Sequence, residues 1–334
     1  MYPVEECLAR IARVPLLPAP TPLHPLGRFP RARDGLRAYI KRDDMTGIGP
    51  GGNKVRSLEF LLGEALEQGC DLVLAAGPGQ SNLCTLAAAA CARLGLECRL
   101  VHNSPQPDSL RGNLLLNHLL GVRSRFLGPV DAQVREAFVE RLARDCAAAG
   151  RRPYIIRNGA STGRGALGYT AAAAELKEQC ARQGIEGMTL FVPGGNGGVA
   201  AGLVYGNALM GSPFRIVVVS VEDEKEVLKG HMEDILRQAR EVAGLPCPGP
   251  LEALCEVTDE FRGAGWGANT PESARAVTDF ARREGIFVEN VYNSKVLVGM
   301  QSWVERGIVS GPVCYLHTGG FGSLFSQYEG AQRH

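Results

Sequence analysis

The sequence predicts an α/β fold of two lobes, with parallel-rich sheets flanked by helices. Three observations predict it. Short β-branched runs alternate with longer helical stretches, several of these stretches end at glycine, and glycine-rich segments follow some of the strands. The chain has 334 residues. Since a single domain usually has roughly 100–200 residues, this length allows two lobes.

Nine runs are predicted to be strands because β-branched and aromatic residues dominate them and turn residues bound them. They are LRAYIKR (36–42), DLVLAAG (71–77), CRLVH (98–102), VRSRFLG (122–128), YIIRNG (154–159), TLFVPG (189–194), RIVVVSV (215–221), LCEVTDE (254–260) and PVCYLHTG (312–319). The stretches between them repeat apolar residues at three- and four-residue steps, which predicts helices. A proline cluster from Pro15 to Pro30 predicts an extended surface segment before the first strand.

The βα units fall into two groups, and these groups predict the domains. Residues 56–167 form the predicted small domain, and residues 1–55 together with 168–334 form the predicted large domain. The early strand at 36–42 is assigned to the sheet of the large domain. We expect the ligand site in the cleft between the two domains, where such sites are common.

Composition excludes several classes of partner. The net charge is +1, so no nucleic-acid partner is expected, and no apolar run reaches the ~18–20 residues of a membrane span. The first twenty residues carry acids early and prolines late, unlike a signal peptide, which predicts a cytoplasmic protein. The ten scattered cysteines are predicted to be reduced, and the six histidines lack zinc-binding spacing, so no metal is expected.

Lys54 is the first candidate for chemistry. It follows glycines at 47, 49, 51 and 52 in TGIGPGGNKVRSLEF (46–60) and opens the helix after them. The positive end of a helix, with a phosphate and partial desolvation nearby, would help keep its amine uncharged and nucleophilic. The alternative, from this segment alone, is an exposed loop lysine.

Three other segments place polar groups or free backbone N–H groups at strand ends. In AAGPGQSNLCTLAAAA (75–90), Gln80, Ser81 and Asn82 suit a carboxylate, although Ser81 suits a helix cap equally well. In FVPGGNGGVAAGL (191–203), the GGNGG run predicts a backbone cradle for a phosphate. In YLHTGGFGSLF (315–325), the hydroxyl of Thr318 suits a heterocycle nitrogen or a neighbouring backbone group.

Together and in this order, the four segments resemble the fold-type-II pyridoxal-phosphate enzymes. Within them, the resemblance is to the D-cysteine desulfhydrase and 1-aminocyclopropane-1-carboxylate deaminase branch. The stretches IKRDDMTG (40–47), NGASTGRGALGY (158–169) and ENVYNSKVLVGM (289–300) support this resemblance, which spans about residues 15–326. It implies a tryptophan synthase β-like fold, pyridoxal 5'-phosphate as cofactor, a small amino-acid substrate and a homodimer.

The resemblance also implies a role for each matching residue. Lys54 would carry the cofactor as a Schiff base, and Tyr292 would serve as an acid–base or anchoring group toward the substrate. The residues expected to bind the cofactor besides Lys54 are Asn53, Asn82, Gly195, Asn196, Gly197, Gly198, Val199 and Thr318. The residues expected to bind the substrate are Gln80, Ser81, Asn82, Trp266 and Tyr292, and Ser81 counts with Lys54 and Tyr292 as catalytic.

Several positions depart from the pattern of that branch. Deaminases of the cyclopropane carry glutamate where this chain has Asn293 and leucine where it has Thr318, so cyclopropane opening is not expected. Desulfhydrase-like members carry histidine, tyrosine and threonine at the positions of Leu83, Trp266 and Val199. A more apolar pocket with neutral partners for the ring nitrogen favours β-elimination over harder bond cleavages.

The sequence therefore predicts a lyase that removes a β-leaving group from a small amino acid and yields a 2-oxo acid and ammonia. Two alternatives remain open. In one, Trp266 and Leu83 keep water out, a second nucleophile adds, and the enzyme is a synthase. In the other, the chain keeps the fold and the cofactor but has lost catalysis.

Overall fold

Two β-sheets organise the chain, and the computed structural model describes residues 4–30 and 35–327 of it. The strands within these residues are β1 (Leu23–Leu26), β2 (Ala38–Arg42), β3 (Leu72–Gly77), β4 (Glu97–His102), β5 (Arg123–Phe126), β6 (Pro153–Ile156), β7 (Thr189–Gly194), β8 (Arg215–Ser220), β9 (Glu256–Thr258) and β10 (Val313–His317). The larger sheet has the order β1-β2-β10-β7-β8-β9, and the smaller sheet has the order β5-β4-β3-β6. Neighbouring strands are parallel except β1 and β2, which confirms the predicted α/β fold with parallel-rich sheets.

Helices flank both sheets, as the crossover connections between parallel strands require. Within the described residues they are α1 (Val4–Leu8), α2 (Lys54–Glu67), α3 (Asn82–Leu94), α4 (Gly112–Leu119), α5 (Ala132–Ala148), α6 (Gly163–Gln183), α7 (Gly198–Leu209), α8 (Lys225–Ala243), α9 (Leu251–Leu254), α10 (Pro271–Glu284), α11 (Asn293–Glu305) and α12 (Phe321–Gln327). A 3₁₀ turn covers Asn158–Ala160. None of these helices is long and apolar enough to cross a membrane.

Each of the nine predicted strands overlaps an observed one. The early strand β2 pairs in parallel with β10, with Ile40 beside Tyr315, and therefore lies in the larger sheet. β1 was not predicted, because it lies in the proline cluster and contains Pro25. It pairs antiparallel to β2 at the edge of the sheet, where a strand tolerates a residue without an N–H group.

The two sheets support the predicted division into domains, whose boundaries stay a prediction. Strands β3 to β6 fall within residues 56–167, and the other strands fall outside that range. Both boundaries lie inside helices, α2 and α6 respectively. These helices approach closely, since a Cβ on Gly168 would lie 2.2 Å from the backbone oxygen of Arg56. The two helices that contain the predicted domain boundaries therefore pack directly against each other.

A buried ionic network fixes the first turn of α2. The Arg56 guanidinium donates to both carboxylate oxygens of Asp43, at 2.8 and 2.9 Å, and to Glu175 at 2.9 Å. Tyr169 also donates to Asp43, and Lys41 pairs with Glu175. Burial raises the pKa of Asp43, but the Arg56 guanidinium more than offsets this and the pKa falls to about 2. The network therefore holds the backbone two residues after Lys54 in a defined position.

Candidate active site

The loops around Lys54 and Thr318 lie against each other. Gly52 and Gly319 form an isolated antiparallel bridge, and the N–H group of Asn53 donates to the carbonyl of Thr318 at 3.0 Å. A Cβ on Gly319 would lie only 2.6 Å from the Cα of Gly52, so this approach requires glycine. Two segments that are far apart in the sequence thus form one side of a cleft.

Lys54 begins α2, as predicted, and its Nζ donates to the carbonyl oxygen of Gly159 at 2.8 Å. Its side chain keeps some surface open to the cleft, but protein atoms surround it closely. This burial lowers the pKa of Lys54 to about 8, and within the described chain no carboxylate pairs with it to oppose the shift. Buried Lys41, by contrast, is paired with Glu175. About half of the Lys54 amine is therefore uncharged at pH 8, as a nucleophile must be.

The turn that accepts the Lys54 amine has an unusual backbone. Asn158, Gly159 and Ala160 have φ angles of 44°, 61° and 68°. The left-handed conformation costs a residue with a Cβ about 1–2 kcal/mol, and Ala160 adopts it while buried. Such strain persists where the surroundings enforce it, and it is common at functional sites. Here the strained turn presents the Gly159 carbonyl to the Lys54 amine.

The Gln80–Asn82 segment is oriented by a residue that sequence reasoning did not single out, Asn113. Ser81 caps α3, accepting from the N–H group of Cys84 at 3.3 Å, so the structural role weighed for it is present. Its hydroxyl also bonds to the Cys84 thiol and opposes the rise that burial causes in the pKa of Cys84. Fully buried Asn113 donates to Oδ1 of Asn82 at 2.8 Å and to the backbone of Gln80. The Nδ2 group of Asn82 is therefore left as a donor.

Residues 195–197 form the turn between β7 and α7, and residues 198 and 199 begin α7. Gly197 caps α7 with a φ of 85° and no side-chain cap, and no acidic residue lies in the first turn. A Cβ on Gly198 would lie 2.8 Å from Oγ of Ser161, so glycine is required at this position. The N–H groups of a first helical turn have no intrahelical acceptors. Together with the Ser161 hydroxyl, they can bind a phosphate.

Two side chains of this turn face different neighbours. Nδ2 of exposed Asn196 lies 3.2 Å from Oδ1 of Asn158, next to the turn that accepts Lys54. Val199 packs against the large apolar core and offers only its backbone N–H group to the turn. A threonine there would add one hydroxyl donor, worth about 1 kcal/mol.

Tyr292 and Trp266 form the opposite side of the cleft. A Cβ on Gly195 would lie 3.2 Å from Cε1 of Tyr292, so the ring lies directly against the turn 195–199. Nε1 of Trp266 donates to the Tyr292 hydroxyl at 2.8 Å. Because an indole N–H can only donate, the phenol oxygen is the acceptor and the phenol proton stays available. Burial raises the pKa of Tyr292, so the phenol is protonated at neutral pH.

Thr318 is linked through Asn293 to a buried carboxylate. The Thr318 hydroxyl donates to Oδ1 of Asn293 at 3.1 Å, and Nδ2 of Asn293 donates to Glu289 at 3.0 Å. Glu289 also accepts the N–H groups of Tyr292 and Asn293, at 2.8 and 2.7 Å. Burial raises the pKa of Glu289, and these N–H groups oppose the rise. Sequence reasoning found the neutral pair and missed Glu289, although it begins the stretch ENVYNSKVLVGM.

Leu83, one of the departures from the desulfhydrase pattern, belongs to the core. It is 3% exposed and packs with Leu58 and Leu86. Trp266, at 49% exposure, therefore remains the apolar replacement that faces the cleft. Trp266, and not Leu83, is therefore the residue that could exclude water from the site.

Replacing Gly51 with alanine is expected to destabilise the loop that carries Lys54. A Cβ on Gly51 would lie 1.8 Å from the carbonyl oxygen of Asp44, and the φ angle is 75°. Gly95 is the matched control, because its φ is 70° and nothing lies within 4 Å of its Cβ position. Gly95→Ala should cost about 1–2 kcal/mol of unfolding free energy from the backbone alone. Gly51→Ala should cost clearly more in denaturant unfolding, and equal losses would show that the contact with Asp44 does not matter.

The residues that meet at the cleft fit pyridoxal phosphate by the chemistry of their donors. They offer an amine that loses its proton near pH 8 at Lys54, a cradle of N–H groups at 195–199, an amide donor at Asn82 and, at Thr318, a hydroxyl oxygen that can accept, since its proton goes to Asn293. Asn82 and the Thr318 loop are close, since a Cβ on Gly320 would lie 3.4 Å from Nδ2 of Asn82. Within residues 4–30 and 35–327, no group of histidine, cysteine or acidic side chains could hold a metal ion.

Comparisons with known proteins match nearly the whole chain. The profile of the family described as "Pyridoxal-phosphate dependent enzyme" matches residues 14–319. A D-cysteine desulfhydrase of Salmonella choleraesuis (strain SC-B67) is 34% identical over 336 residues, which cover 96% of this chain and 98% of that protein. A D-cysteine desulfhydrase of Klebsiella pneumoniae (strain 342) is 32% identical over 332 residues, again covering 96% and 98%. The crystal structure of an ACC deaminase homologue, 32% identical, covers 98% of both chains with a TM-score of 0.89.

Proposed function

The chain belongs to the family of pyridoxal-phosphate-dependent enzymes and has their fold-type-II architecture, and from this premise we propose that it is an α,β-elimination lyase. Its substrate is a small amino acid with a leaving group on Cβ. The products are the free leaving group, a 2-oxo acid and ammonia. The relatives named D-cysteine desulfhydrase support this reaction class.

The observation that carries the proposal is the environment of Lys54. Its amine has a pKa of about 8, is held by one backbone carbonyl, and has no carboxylate partner among the described residues. An amine that is paired with a carboxylate stays protonated and cannot attack. Lys54 also lies where the turn at 158–160 meets the loop of Thr318, so a bound cofactor would contact both.

Different residues of the chain would abstract the α-proton and bind the cofactor. Bound pyridoxal phosphate supplies an electron sink for the charge that develops when the α-proton leaves. Lys54 would hold the cofactor through its Nζ, and its free amine would accept the α-proton of the substrate. The N–H groups of residues 195–199 would hold the phosphate, while Asn82 and Thr318 would contact the ring.

Tyr292 and the start of α3 act on the substrate itself. Tyr292 gives its proton to the leaving group, because Trp266 binds the phenol oxygen and leaves the proton free. The Ser81 hydroxyl and the N–H groups at the start of α3 bind the substrate carboxylate, with Gln80 beside them. These donors fix the substrate so that its α-proton faces Lys54.

The neutral contact at the ring nitrogen supports elimination rather than opening of a cyclopropane. Thr318 and Asn293 separate the Glu289 carboxylate from the ring edge. A carboxylate in direct contact would favour protonation of the ring nitrogen and a stronger electron sink. A hydroxyl does this less, and removal of a good leaving group from Cβ demands less of the ring.

The second candidate function is replacement of the leaving group on Cβ by another nucleophile, and the position of Trp266 favours it. Its indole stands at the rim of the cleft and is tied to Tyr292. A bulky apolar side chain there can keep water from the elimination product until a second nucleophile adds. The final product would then be a new amino acid instead of a 2-oxo acid.

The test is a product screen of the reconstituted protein. We would incubate it with the D- and L-isomers of β-chloroalanine and cysteine, with and without an added thiol. A 2-oxo acid and ammonia in equal amounts support elimination, and a thioether amino acid seen by mass spectrometry supports replacement. No product from any of them, with the cofactor still covalently bound, would contradict both and favour a protein that has lost catalysis.

The proposal includes a homodimer in the cytoplasm. Exposed apolar side chains on two packed helices support the dimer, since Leu115 and Leu119 lie on α4 and Phe321 and Phe325 lie on α12. Contiguous exposed apolar groups are common at subunit interfaces. Light scattering of the purified protein would measure the mass in solution.

A further inference from the structure

Lys295 lies on α11 with a fully buried side chain, and its ammonium is enclosed by backbone oxygens. Nζ donates to the carbonyls of Val221 at 2.9 Å, Arg262 at 2.6 Å and Gly265 at 2.7 Å. Since an ammonium has three protons, these bonds use its whole donor capacity. Lys295 thus joins α11 to the end of β8 and to the irregular segment at 259–268.

This position is electrostatically unfavourable. Burial lowers the pKa of Lys295, and the carboxylates of Glu289 and Glu222 oppose this only in part, since no carboxylate of the described residues bonds to its ammonium. Lys295 is also in the first turn of α11, where the helix end is partially positive. An apolar side chain of similar length would avoid this cost. The cost is therefore offset by something that only an ammonium provides, namely three bonds to separate carbonyls.

The carbonyls that Lys295 binds belong to segments that carry the wall of the cleft. Gly265 directly precedes Trp266, and Tyr292 is three residues before Lys295. Segment 259–268 has no helix or strand, and Gly263, Gly265 and Gly267 have φ angles of 64°, 117° and 72°. The backbone bonds within it are single turns, such as the N–H group of Ala268 donating to Gly265 at 3.2 Å, so its position depends on bonds to other segments. Lys295 provides two of the bonds that attach it to the rest of the protein.

From this arrangement we propose that Lys295 is a positioning residue, whose ammonium fixes the Trp266 segment so that the indole holds the Tyr292 hydroxyl in place. Lys295 acts through Trp266 and does not touch the substrate. The kinetic part of this inference rests on the proposed function. Its structural part, the fixed position of Trp266, does not.

The structural part is tested by fluorescence on the cofactor-loaded enzyme. The chain has two tryptophans, and Trp303 is 8% exposed, so quenching by acrylamide reports mainly on Trp266. Lys295→Met should raise the quenching constant by about twofold or more, because the freed segment opens locally. Lys229→Met is the control, since Lys229 forms an ion pair with Glu226 on the surface of α8 and does not bond to the segment, and it should leave quenching unchanged. Unchanged quenching in Lys295→Met would overturn the proposal.

The kinetic part is tested by a double-mutant cycle with the β-chloroalanine isomer that the enzyme turns over. Lys295→Met should lower kcat by about five- to tenfold while KM stays within about threefold, since the misplaced Trp266 segment loses its one hydrogen bond to the Tyr292 hydroxyl. In a Trp266→Phe background the same change should lower kcat by less than about threefold, because the bond to Tyr292 is already gone. Equal losses in both backgrounds would overturn the role through Trp266.

A second variant covers the case in which Lys295→Met does not fold. Lys295→Ala can be purified in ammonium chloride, whose ion fits the space among the three carbonyls. Removing the ammonium ion should raise acrylamide quenching, and restoring it should reverse the change, whereas tetramethylammonium should not. A variant that does not respond to ammonium would contradict the proposal. If no amino acid is turned over, the proposed function fails, and the fluorescence result still decides on Lys295.

Discussion

Replacing Lys54 with alanine is expected to abolish both turnover and the absorbance near ~420 nm of covalently bound cofactor. Among the residues that the structure describes at the cleft, the Lys54 amine is the group that can form this bond, and neither Tyr292 nor Ser81 can replace it. The phosphate cradle at 195–199 remains, so the cofactor should still bind, but reversibly and more weakly. Absorption spectra before and after gel filtration, together with the product assay, measure both effects.

Two control variants distinguish the role of the Lys54 amine as a nucleophile from the role of its positive charge. Lys54→Arg keeps a cation that can still donate to Gly159, but a guanidinium does not lose its proton and cannot attack, so it should fail like alanine. Lys229→Ala removes a lysine that pairs with Glu226 on the surface and should leave spectrum and turnover intact. If Lys54→Ala keeps either its absorbance or its activity, the central assignment is wrong.

Replacing Tyr292 with phenylalanine is expected to have the second-largest effect, lowering kcat by about 10²- to 10⁴-fold, as for the loss of a general acid. The ring remains in contact with Gly195, so KM and the absorbance of bound cofactor should change little. Burial raises the pKa of the phenol and keeps it protonated, whereas the bond from Trp266 lowers that pKa and so helps the phenol give up its proton. Steady-state kinetics on the substrate found by the product screen measure the loss.

Trp266→Phe is the companion variant for Tyr292. It removes the donor to the phenol but keeps the phenol proton and an aromatic side chain at the rim. Its kcat should fall by less than about tenfold, the scale of one neutral hydrogen bond. Should Tyr292→Phe retain kcat within about threefold of the native enzyme, the proton must come from another group.

Much of the fold could be predicted because each element carries its own local signal. The strands contain dense β-branched runs, and Lys54 marks the start of α2 because glycines precede it and an apolar repeat follows. The edge strand β1 could not be predicted, since its proline argues against a strand and only pairing with β2 creates it. The family match rested on four short segments in order, and the profile over residues 14–319 supports the same family.

The missed residues share a physical reason, since their roles arise from contacts between distant segments. The Gly159 carbonyl that holds Lys54 has no side chain and so no sequence signature. Asn113 lies in an ordinary helical stretch, and only the packing of α4 brings it to Asn82. Lys295 carried one usable hint, a lysine directly before the apolar run VLVGM. The roles assigned to Lys54, Ser81, Tyr292 and the other site residues stay predictions until the variants are measured.

The ionic network around Arg56 limits the order in which mutations can accumulate over evolutionary time. Removing one partner of a buried ion pair leaves the other charge unpaired and costs about 3–5 kcal/mol, whereas exchanging the whole set for apolar residues is often neutral. A lineage would therefore pass through a poorly folded ancestor if Asp43 changed before Arg56. Divergence at these positions should come in concerted steps, while Trp266, whose side chain is half exposed, can change singly with little loss of folding stability.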